Sequence, residues 1–164
     1  MPLTDKRNDY KIRIARKSDA DEIYYLVQRA FSSYSDKGTN PVQDETIDDI
    51  VFDLNHNIVL VIEHLGFISG SLRLCTLENN NFYLKRFSVH PFYQNLGMGT
   101  SLYYYAEDFV KKRDGRNIYL YSSLEDERLI SFYEKLGFLC LDLDYKNGYK
   151  RGYWGKKISG VDIR

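Results

Sequence analysis

The sequence predicts an α/β (α+β) fold built on a mixed sheet. Two segments carry the signals of antiparallel hairpins, one turning at His64-Leu65-Gly66 and the other at Asn147-Gly148. Between them, an apolar strand from Phe82 to Val89 is followed by a helical pattern and a short strand from Asn117 to Tyr121. A helix that crosses between two strands makes them parallel neighbours. We therefore expect a parallel centre with antiparallel ends.

The composition is that of one folded domain. The chain has 164 residues, of which 43% are hydrophobic, so we expect a single domain over residues 1–164. The formal net charge is zero and no basic block occurs, which argues against nucleic acid and anionic membranes as partners. The start carries no apolar core region and no segment is long and apolar enough to span a bilayer, so a cytoplasmic location is expected. Cys75 and Cys140 lack a Cys-x-x-Cys or ligand-spaced partner, which predicts buried, reduced thiols and no metal site.

The N-terminal residues predict a strand and then a helix. Tyr10 to Ala15 alternates between polar and apolar residues, as a half-buried strand does. Ser18 is a candidate N-cap with Asp21 three residues later. The apolar stripe of this first helix consists of Ile23, Leu26, Val27 and Ala30.

A loop, a second helix and the first hairpin follow. Ser32 to Asp44 contains glycine and proline among polar residues, and its length predicts a substrate lip. Thr46 and Asp49 repeat the capping pattern ahead of helix two. The hairpin strands are Ile58 to Glu63 and Phe67 to Thr76.

The C-terminal half predicts two more helices and a closing hairpin. Helix three follows the central strand, and Gly115 is placed as its C-cap. Ser122 or Ser123 can cap the next helix, which Gly137 stops. The chain then closes with two strands, Leu139 to Tyr145 and Tyr149 to Ile158.

The segment Gln94-Asn95-Leu96-Gly97-Met98-Gly99 joins the central strand to helix three. Its two glycines let backbone amides come close together, and the helix that follows adds the positive end of its dipole. This arrangement predicts a phosphate site, although the glycines alone also fit an ordinary strand-to-helix turn. The dinucleotide fingerprint would need glycine at Leu102, and the nucleotide-triphosphate loop would need lysine at Thr100. Neither of those loops is present.

The pattern that remains, Gln-x-x-Gly-x-Gly, resembles the pyrophosphate-binding motif Q/R-x-x-G-x-G/A of the GNAT family of N-acetyltransferases. Phe132 to Phe138, FYEKLGF, is similar to the F-Y-x-x-x-G-F segment of that family. Val89-His90-Pro91 resembles the turn that often precedes its phosphate loop. The resemblance implies a mostly antiparallel sheet with a splayed parallel central strand pair and helices on both faces.

The resemblance also implies that acetyl-CoA binds as the acetyl donor. Its pantetheine arm would bond to the main chain of the central strand, and its pyrophosphate to the amides of the glycine loop. The implied coenzyme-binding residues are Phe87, Ser88, Val89, Gln94, Asn95, Leu96, Gly97, Met98, Gly99, Thr100 and Asp126. Asp126 stands where the family often has Asn, and an ionised Asp can accept hydrogen bonds but cannot donate them.

Tyr133 is the catalytic residue that the resemblance implies. When an amine attacks the thioester, the sulfur leaves as a thiolate, and a phenol with a pKa of about 10 can donate a proton to it. Tyr133 also lies on the apolar stripe of its helix, so a purely structural role is the alternative. The base is open, because Tyr83 stands where many family members place Glu. Glu63 and Glu78 through water, and His90, are possible bases, although a solvated strand end is the favoured interpretation of each glutamate and a structural role in the turn that of His90.

We therefore expect an N-acetyltransferase that moves the acetyl group of acetyl-CoA to a primary amine by direct attack, without a metal or a covalent enzyme intermediate. The acceptor is expected to be a small molecule or a peptide, and a small diffusible amine is preferred. The alternative is a catalytically silent acyl-CoA-binding sensor or scaffold module, and a plain nucleotide-binding module is a third class whose motifs are missing. A homodimer is expected because it is the commonest oligomer.

Overall fold

The computed structural model describes residues 9–32, 41–146 and 148–159. Its strands form a seven-stranded sheet in the order β1-β2-β3-β4-β5-β7-β6. The strands are β1 (Tyr10–Ile14), β2 (Ile58–His64), β3 (Phe67–Thr76), β4 (Phe82–Val89), β5 (Asn117–Ser123), β6 (Leu139–Lys146) and β7 (Tyr149–Lys157). The helices are α1 (Ala20–Ala30), α2 (Ile47–His56), α3 (Met98–Lys111) and α4 (Glu127–Lys135). Within the described ranges, no helix is long and apolar enough to cross a membrane.

The sheet is mixed, as predicted. β1 pairs antiparallel with β2, and β7 pairs antiparallel with both β5 and β6. β4 and β5 are parallel, and their register joins Phe82 to Ile118 and Tyr83 to Tyr119. These pairs lie at the start of both strands, and the predicted splay beyond them stays a prediction.

The chain divides into two compact units. The first contains Met1–Arg73 and Arg86–Tyr105, and the second contains Leu74–Lys85 and Ala106–Arg164. β3, β4 and α3 each contribute residues to both units. The single domain over residues 1–164 stays a prediction.

In the first unit, helices lie on both faces of the sheet. The cluster that α1 and α2 form with β2 contains Ala20, Ile23, Leu26, Val27, Val42, Ile50, Val59, Val61 and Ile68. Leu60 and Ile62, which alternate with the two valines of β2, are also buried. Tyr10 lies opposite His64, on this second face, and its hydroxyl donates to Ser101 Oγ of α3 at 2.7 Å. α3 therefore covers the face that α1 and α2 leave free.

Two local signals of the first unit are confirmed. The amide of Asp49 donates to Thr46 Oγ1 at 3.2 Å, and the amide of Thr46 donates to the Asp49 carboxylate at 2.9 Å, which is the predicted capping box of α2. Leu65 and Gly66 have φ angles of 52° and 81°, the two positive values of a type I′ hairpin turn. Residues 33–40 of the predicted lip, Ser32 to Asp44, lie outside the described residues.

The predicted cap of the first helix was wrong. Ser18 lies inside a single 3₁₀ turn, and α1 begins after Asp19. The Asp19 carboxylate accepts from the amide of Arg16 at 2.7 Å and from the guanidinium of Arg13 at 2.8 Å. This charged pairing comes from β1 and so outweighs the weaker local serine cap.

Two predicted helix ends in the second unit also differ. Ser122 and Ser123 still belong to β5, where they pair with β7, and α4 is capped instead by Asp126. At the end of α3 the left-handed residue is Asp114, with a φ of 56°, while the next amide, that of Gly115, donates to a helix carbonyl. Glycine is still required at Gly115, because a Cβ there would collide with a side chain of α3.

The prediction of two buried thiols was wrong for both cysteines. Both are free, but Cys140 is exposed and Cys75 is only partly buried. Cys140 lies on β6, which is the last strand of the sheet among the residues that the structure describes. An edge strand leaves side chains exposed that a central strand would cover.

Candidate active site

The loop that connects β4 to α3 begins with a turn built on a histidine. His90 Nδ1 accepts a hydrogen bond from the amide of Phe92 at 3.2 Å, so the ring caps the turn. Burial lowers the pKa of His90, and the charge of Arg29 lowers it further. A neutral ring that already accepts a hydrogen bond fits the structural role better than that of a base. Further along, Asn95 and Gly97 have left-handed φ angles of 66° and 83°, which turn the chain into α3.

The first turn of α3 presents backbone amides that have no acceptor within the helix. Its first closing bond runs from the amide of Ser101 to the carbonyl of Gly97, at 3.0 Å. The amides of Met98, Gly99 and Thr100 therefore have no partner within the helix. Gly97 has no side chain that could cap them, and the first turn contains no acidic residue. Three amides at the positive end of a 14-residue helix form a site that favours an anion.

The loop itself is open to solvent. Gln94, Asn95, Leu96 and Gly97 are exposed, and a Cβ at Gly97 would meet no atom within 4 Å. Glycine is required there by the left-handed φ, since nothing crowds the position. The Met98 side chain is fully buried, so this residue offers an anion only its amide.

The glycine loop is hydrogen-bonded to the end of β4. The side-chain amide of Gln94 donates to the carbonyl of Val89 at 3.1 Å. Two of the segments predicted to bind the coenzyme are therefore joined in the free chain. The bond also engages a carbonyl that was predicted to contact pantetheine.

The three residues of β4 that were predicted to bind pantetheine do not all present their main chain to the same edge of the strand. The amide of His90 donates to Ser69 O of β3 at 2.8 Å. Since polar groups of alternate residues point to the same edge of a strand, the main chain of Ser88 also faces β3. The main-chain groups of Phe87 and Val89 point to the opposite edge, where an added strand could bond to them. We therefore expect these two residues, rather than Ser88, to supply the backbone contacts.

Tyr133 lies in the second unit and is only 6% exposed. Its ring lies 5.8 Å from that of Phe138 and 6.3 Å from that of Trp154. Gly137, two residues after the end of α4, has a φ of 95°, and the next amide, that of Phe138, donates to the Tyr133 carbonyl at 3.0 Å. The F-Y-x-x-x-G-F segment therefore forms a Schellman helix end with an aromatic contact across it.

Asp126 lies at the other end of α4. Its carboxylate accepts from the amide of Arg128 at 3.0 Å and so satisfies one free donor of the first turn. This capping accounts for an acidic residue at the position. A contact of Asp126 with the coenzyme stays a prediction.

The predicted bases are not equivalent. Glu63 Oε2 accepts from Arg13 Nε at 2.9 Å, and this bond lowers the pKa of Glu63. A carboxylate held in an ion pair is a weak base, so the geometry disfavours Glu63. Glu78 is exposed and opens a short 3₁₀ turn before β4. In the described ranges, no group of three or more His, Cys, Asp or Glu side chains is placed to hold a metal ion.

A tyrosine face on the second unit was missed by the sequence reading. Tyr121 lies 6.2 Å from Tyr83 and 4.8 Å from Tyr153 between ring centres, and the Arg151 guanidinium lies 3.9 Å above the Tyr121 ring. Burial raises the pKa of Tyr153, with Tyr119 adding to the effect, so its hydroxyl stays a donor. The alternating Tyr-Leu-Tyr run of β5 is the signal that could have identified this face.

Comparison with known proteins identifies the family whose sequence profile this chain matches. The profile of the Acetyltransferase (GNAT) family matches residues 20–138. A protein of Xenopus tropicalis named Probable N-acetyltransferase 14 is 35% identical over 63 residues, which are 38% of this chain. The match covers 31% of the length of that relative.

Solved structures share the fold over nearly the whole chain. The PaiA N-acetyltransferase of Thermoplasma acidophilum, in complex with coenzyme A, has a TM-score of 0.79 at 18% identity and covers 91% of this chain and 99% of its own. YncA of Salmonella typhimurium, with its cofactor acetyl-CoA, has a TM-score of 0.78 at 15% identity and covers 96% and 98%. At such identities the likeness shows the fold.

Proposed function

Because this chain belongs to the GNAT family of acetyltransferases, we propose that it moves the acetyl group of acetyl-CoA to a primary amine. Two similar structures contain coenzyme A or acetyl-CoA, and the matched Xenopus protein is named as an N-acetyltransferase. These similar proteins support acetyl-CoA as the acetyl donor and nitrogen as the acceptor atom. A small diffusible amine is the proposed acceptor, because a net charge of zero argues against nucleic-acid-bound or strongly acidic acceptors.

The observation that carries the proposal is the free first turn of α3. The amides of Met98, Gly99 and Thr100 have no acceptor within the helix, and the loop before them is exposed. A pyrophosphate would complete all three hydrogen bonds and benefit from the helix dipole. The main chain of Phe87 and Val89 would bond pantetheine as an added strand does. Binding through backbone groups explains how a coenzyme site can persist among relatives of low sequence identity.

Tyr133 is proposed to protonate the leaving sulfur. The amine attacks the thioester carbonyl, the C–S bond breaks, and the thiolate takes a hydrogen bond or proton from the phenol. A tyrosine pKa of about 10 and a thiol pKa of about 8.5 make full transfer uphill by about 2 kcal/mol. The phenol can still donate its proton to the thiolate, because the acceptor nitrogen releases a proton in the same reaction and that proton can restore the phenol.

The acceptor is proposed to lose its proton to water rather than to a carboxylate. Tyr83 occupies the position of the expected Glu, and Glu63 is tied to Arg13. An alkylamine with a pKa of about 10.4 is almost entirely protonated at neutral pH. The rate constant kcat/KM should then rise about tenfold per pH unit below the acceptor pKa. A flat profile between about pH 7 and about pH 9 would instead indicate a base on the enzyme.

The test is thiol release from acetyl-CoA with a panel of amines. Tyr133→Phe keeps the ring and its packing while removing the hydroxyl, so we expect kcat to fall by about 10²–10⁴-fold with coenzyme affinity retained. Tyr103→Phe is the matched control, because Tyr103 is a fully buried tyrosine outside the proposed machinery. Full activity of Tyr133→Phe would exclude the phenol as the acid.

The second candidate is a catalytically silent acyl-CoA-binding sensor or scaffold. The tyrosine at position 83 favours it, because the residue that often activates the amine is absent. Such a module would gain thermal stability from coenzyme A by mass action and release no thiol with any amine.

A homodimer is also proposed, and the sheet edge supports it. β6 is the last strand of the sheet and carries four exposed apolar side chains. They are Leu139, Leu141, Leu143 and Tyr145. A long apolar edge strand is prone to pair with another chain. A monomer in analytical ultracentrifugation at the enzyme's working concentration would refute this part.

A further inference from the structure

One residue in the middle of β4 has a backbone conformation that a strand does not normally contain. Arg86 has a φ of 54°, in the left-handed region, while β4 runs from Phe82 to Val89. A non-glycine residue adopts this conformation only when its surroundings impose it. Arg86 directly precedes Phe87, the first residue proposed to bind pantetheine.

The Arg86 side chain is held by a buried carboxylate. Arg86 Nε donates to Glu45 Oε2 at 2.7 Å, and the Glu45 side chain is 4% exposed. Arg73 fixes the same carboxylate from the other side, with Nη2 at 2.6 Å from Oε1 and Nη1 at 3.1 Å from Oε2. Glu45 therefore cannot turn away without losing both of the cations that compensate its buried charge.

A second carboxylate completes the cluster. Arg73 Nη1 also donates to Asp53 Oδ2 at 3.1 Å, and Asn57 Nδ2 donates to Asp53 Oδ1 at 2.7 Å. Two arginines and two carboxylates give the cluster no net charge. Removal of Arg86 leaves Glu45 paired with Arg73, and the remaining cluster then carries one excess negative charge.

The left-handed conformation of Arg86 bends β4, and this bend is also held through the carbonyl of Arg86. Ser88 Oγ donates to the carbonyl of Arg86 at 3.3 Å. The backbone of Arg86 is thus constrained through both its side chain and its carbonyl. Since a bulge in a strand re-aims the residues that follow, this bend sets the direction of Phe87 and Val89.

We infer that Arg86, held by Glu45, is a positioning residue for coenzyme binding. The ion pair keeps β4 bent so that the main chain of Phe87 and Val89 meets pantetheine in the correct direction. The inference rests on the proposed function, because it assigns a task within that coenzyme site. It also predicts an effect on β4 itself, which can be measured without coenzyme.

Two substitutions separate the bend from the charge. Arg86→Ala removes the guanidinium and keeps the cost of a left-handed φ, so β4 should relax and bind coenzyme A about tenfold more weakly. Arg86→Gly removes the same guanidinium but adopts positive φ freely, so it should bind several-fold more tightly than the alanine variant. Calorimetric titration with coenzyme A measures both affinities. Asp19→Asn is the control, because it weakens a partly buried ion pair between β1 and the turn before α1 and should leave the affinity unchanged.

Amide hydrogen exchange of the free chain supplies the second readout. Arg86→Ala should speed exchange at Ser88 and His90, whose main chain faces β3, more than Arg86→Gly does, while amides of β1 stay protected. The inference is overturned if the alanine variant binds as tightly as the wild type, if glycine does no better than alanine, or if exchange at these amides is unchanged. Failure of the wild-type chain to bind coenzyme A would refute the proposed function, and the exchange comparison would still decide whether Glu45 and Arg86 hold the bend.

Discussion

Gly97→Ala is the sharpest test of the glycine loop. Gly97 has a φ of 83°, and a Cβ at this position would meet nothing within 4 Å. The substitution therefore adds no steric conflict and removes no contact. Its whole effect comes from the cost of holding an alanine in the left-handed region, which is about 1–2 kcal/mol.

This cost must appear in one of two measurable quantities. If the loop keeps its conformation without ligand, the free energy of unfolding falls by about 1–2 kcal/mol and coenzyme affinity is unchanged. If the free loop relaxes, unfolding is unaffected and binding must restore the strained conformation. Coenzyme A would then bind about 5–30-fold more weakly. The two losses should sum to the same total.

Gly66→Ala is a matched control within the same unit. Gly66 has a φ of 81°, also with no atom within 4 Å of a Cβ, and it lies in the hairpin turn between β2 and β3. Urea unfolding and calorimetric titration with coenzyme A are measured for both variants. We expect Gly66→Ala to lose only stability, by a similar amount, because its turn lies outside the proposed site.

The loop hypothesis fails if Gly97→Ala changes neither stability nor coenzyme affinity, since the residue would then not adopt a positive φ. Gly97→Asn provides a rescue, because Asn tolerates this region better than Ala, as Asn95 does in the same loop at a φ of 66°. An asparagine variant as impaired as the alanine variant would also contradict the conformational explanation.

Three further outcomes follow from individual contacts. Gln94→Ala removes the bond from the loop to β4 and should weaken coenzyme binding about fivefold, whereas Gln28→Ala, which breaks a similar side-chain bond to a carbonyl, should not. Asp126→Ala should lower the free energy of unfolding by about 1 kcal/mol, whereas Asp126→Asn should preserve it. Urea unfolding measures both, and an equal loss of stability in the two variants would contradict the capping role. The hydrogen bond from Arg13 lowers the pKa of Asp19 in the folded chain below its usual value of about 3.9. The pairing therefore stabilises the fold above about pH 3.9, and this stabilisation is lost as the pH falls through the lower pKa of the folded chain. Asp19→Asn should therefore flatten the acid limb of a stability-against-pH curve, and an unchanged limb would refute this.

The elements that the sequence predicted correctly have short-range causes. The capping box of Thr46 and Asp49 and the turn at Leu65 and Gly66 are each decided within four residues. Their physical cause is local hydrogen bonding and backbone sterics, which a sequence displays directly. Ser18 failed as a cap because its competitor was an ion pair from another strand.

The candidate site likewise has one part with a local cause and other parts that depend on residues distant in the sequence. The loop from Gln94 to Gly99 could be proposed as an anion site from the sequence, because anion binding by a helix start needs a local glycine pattern. The edge that each β4 residue faces depends on pairing with β3, so Ser88 could not be separated from Phe87 by sequence alone. The cluster of Glu45 and Arg86 joins residues 41 positions apart and leaves no local signal.

The second motif has a structural explanation that changes what it can support. Gly137 ends α4 in the left-handed region, and the ring of Phe138 contacts that of Tyr133 across this end. Any helix that ends this way favours a glycine followed by a large apolar residue, whatever the protein does. The glycine and the second phenylalanine therefore support the fold, whereas the hydroxyl of Tyr133 contributes nothing to the helix end. Tyr133→Phe keeps the ring that packs across this helix end, so the substitution tests the hydroxyl apart from the motif's role in the fold.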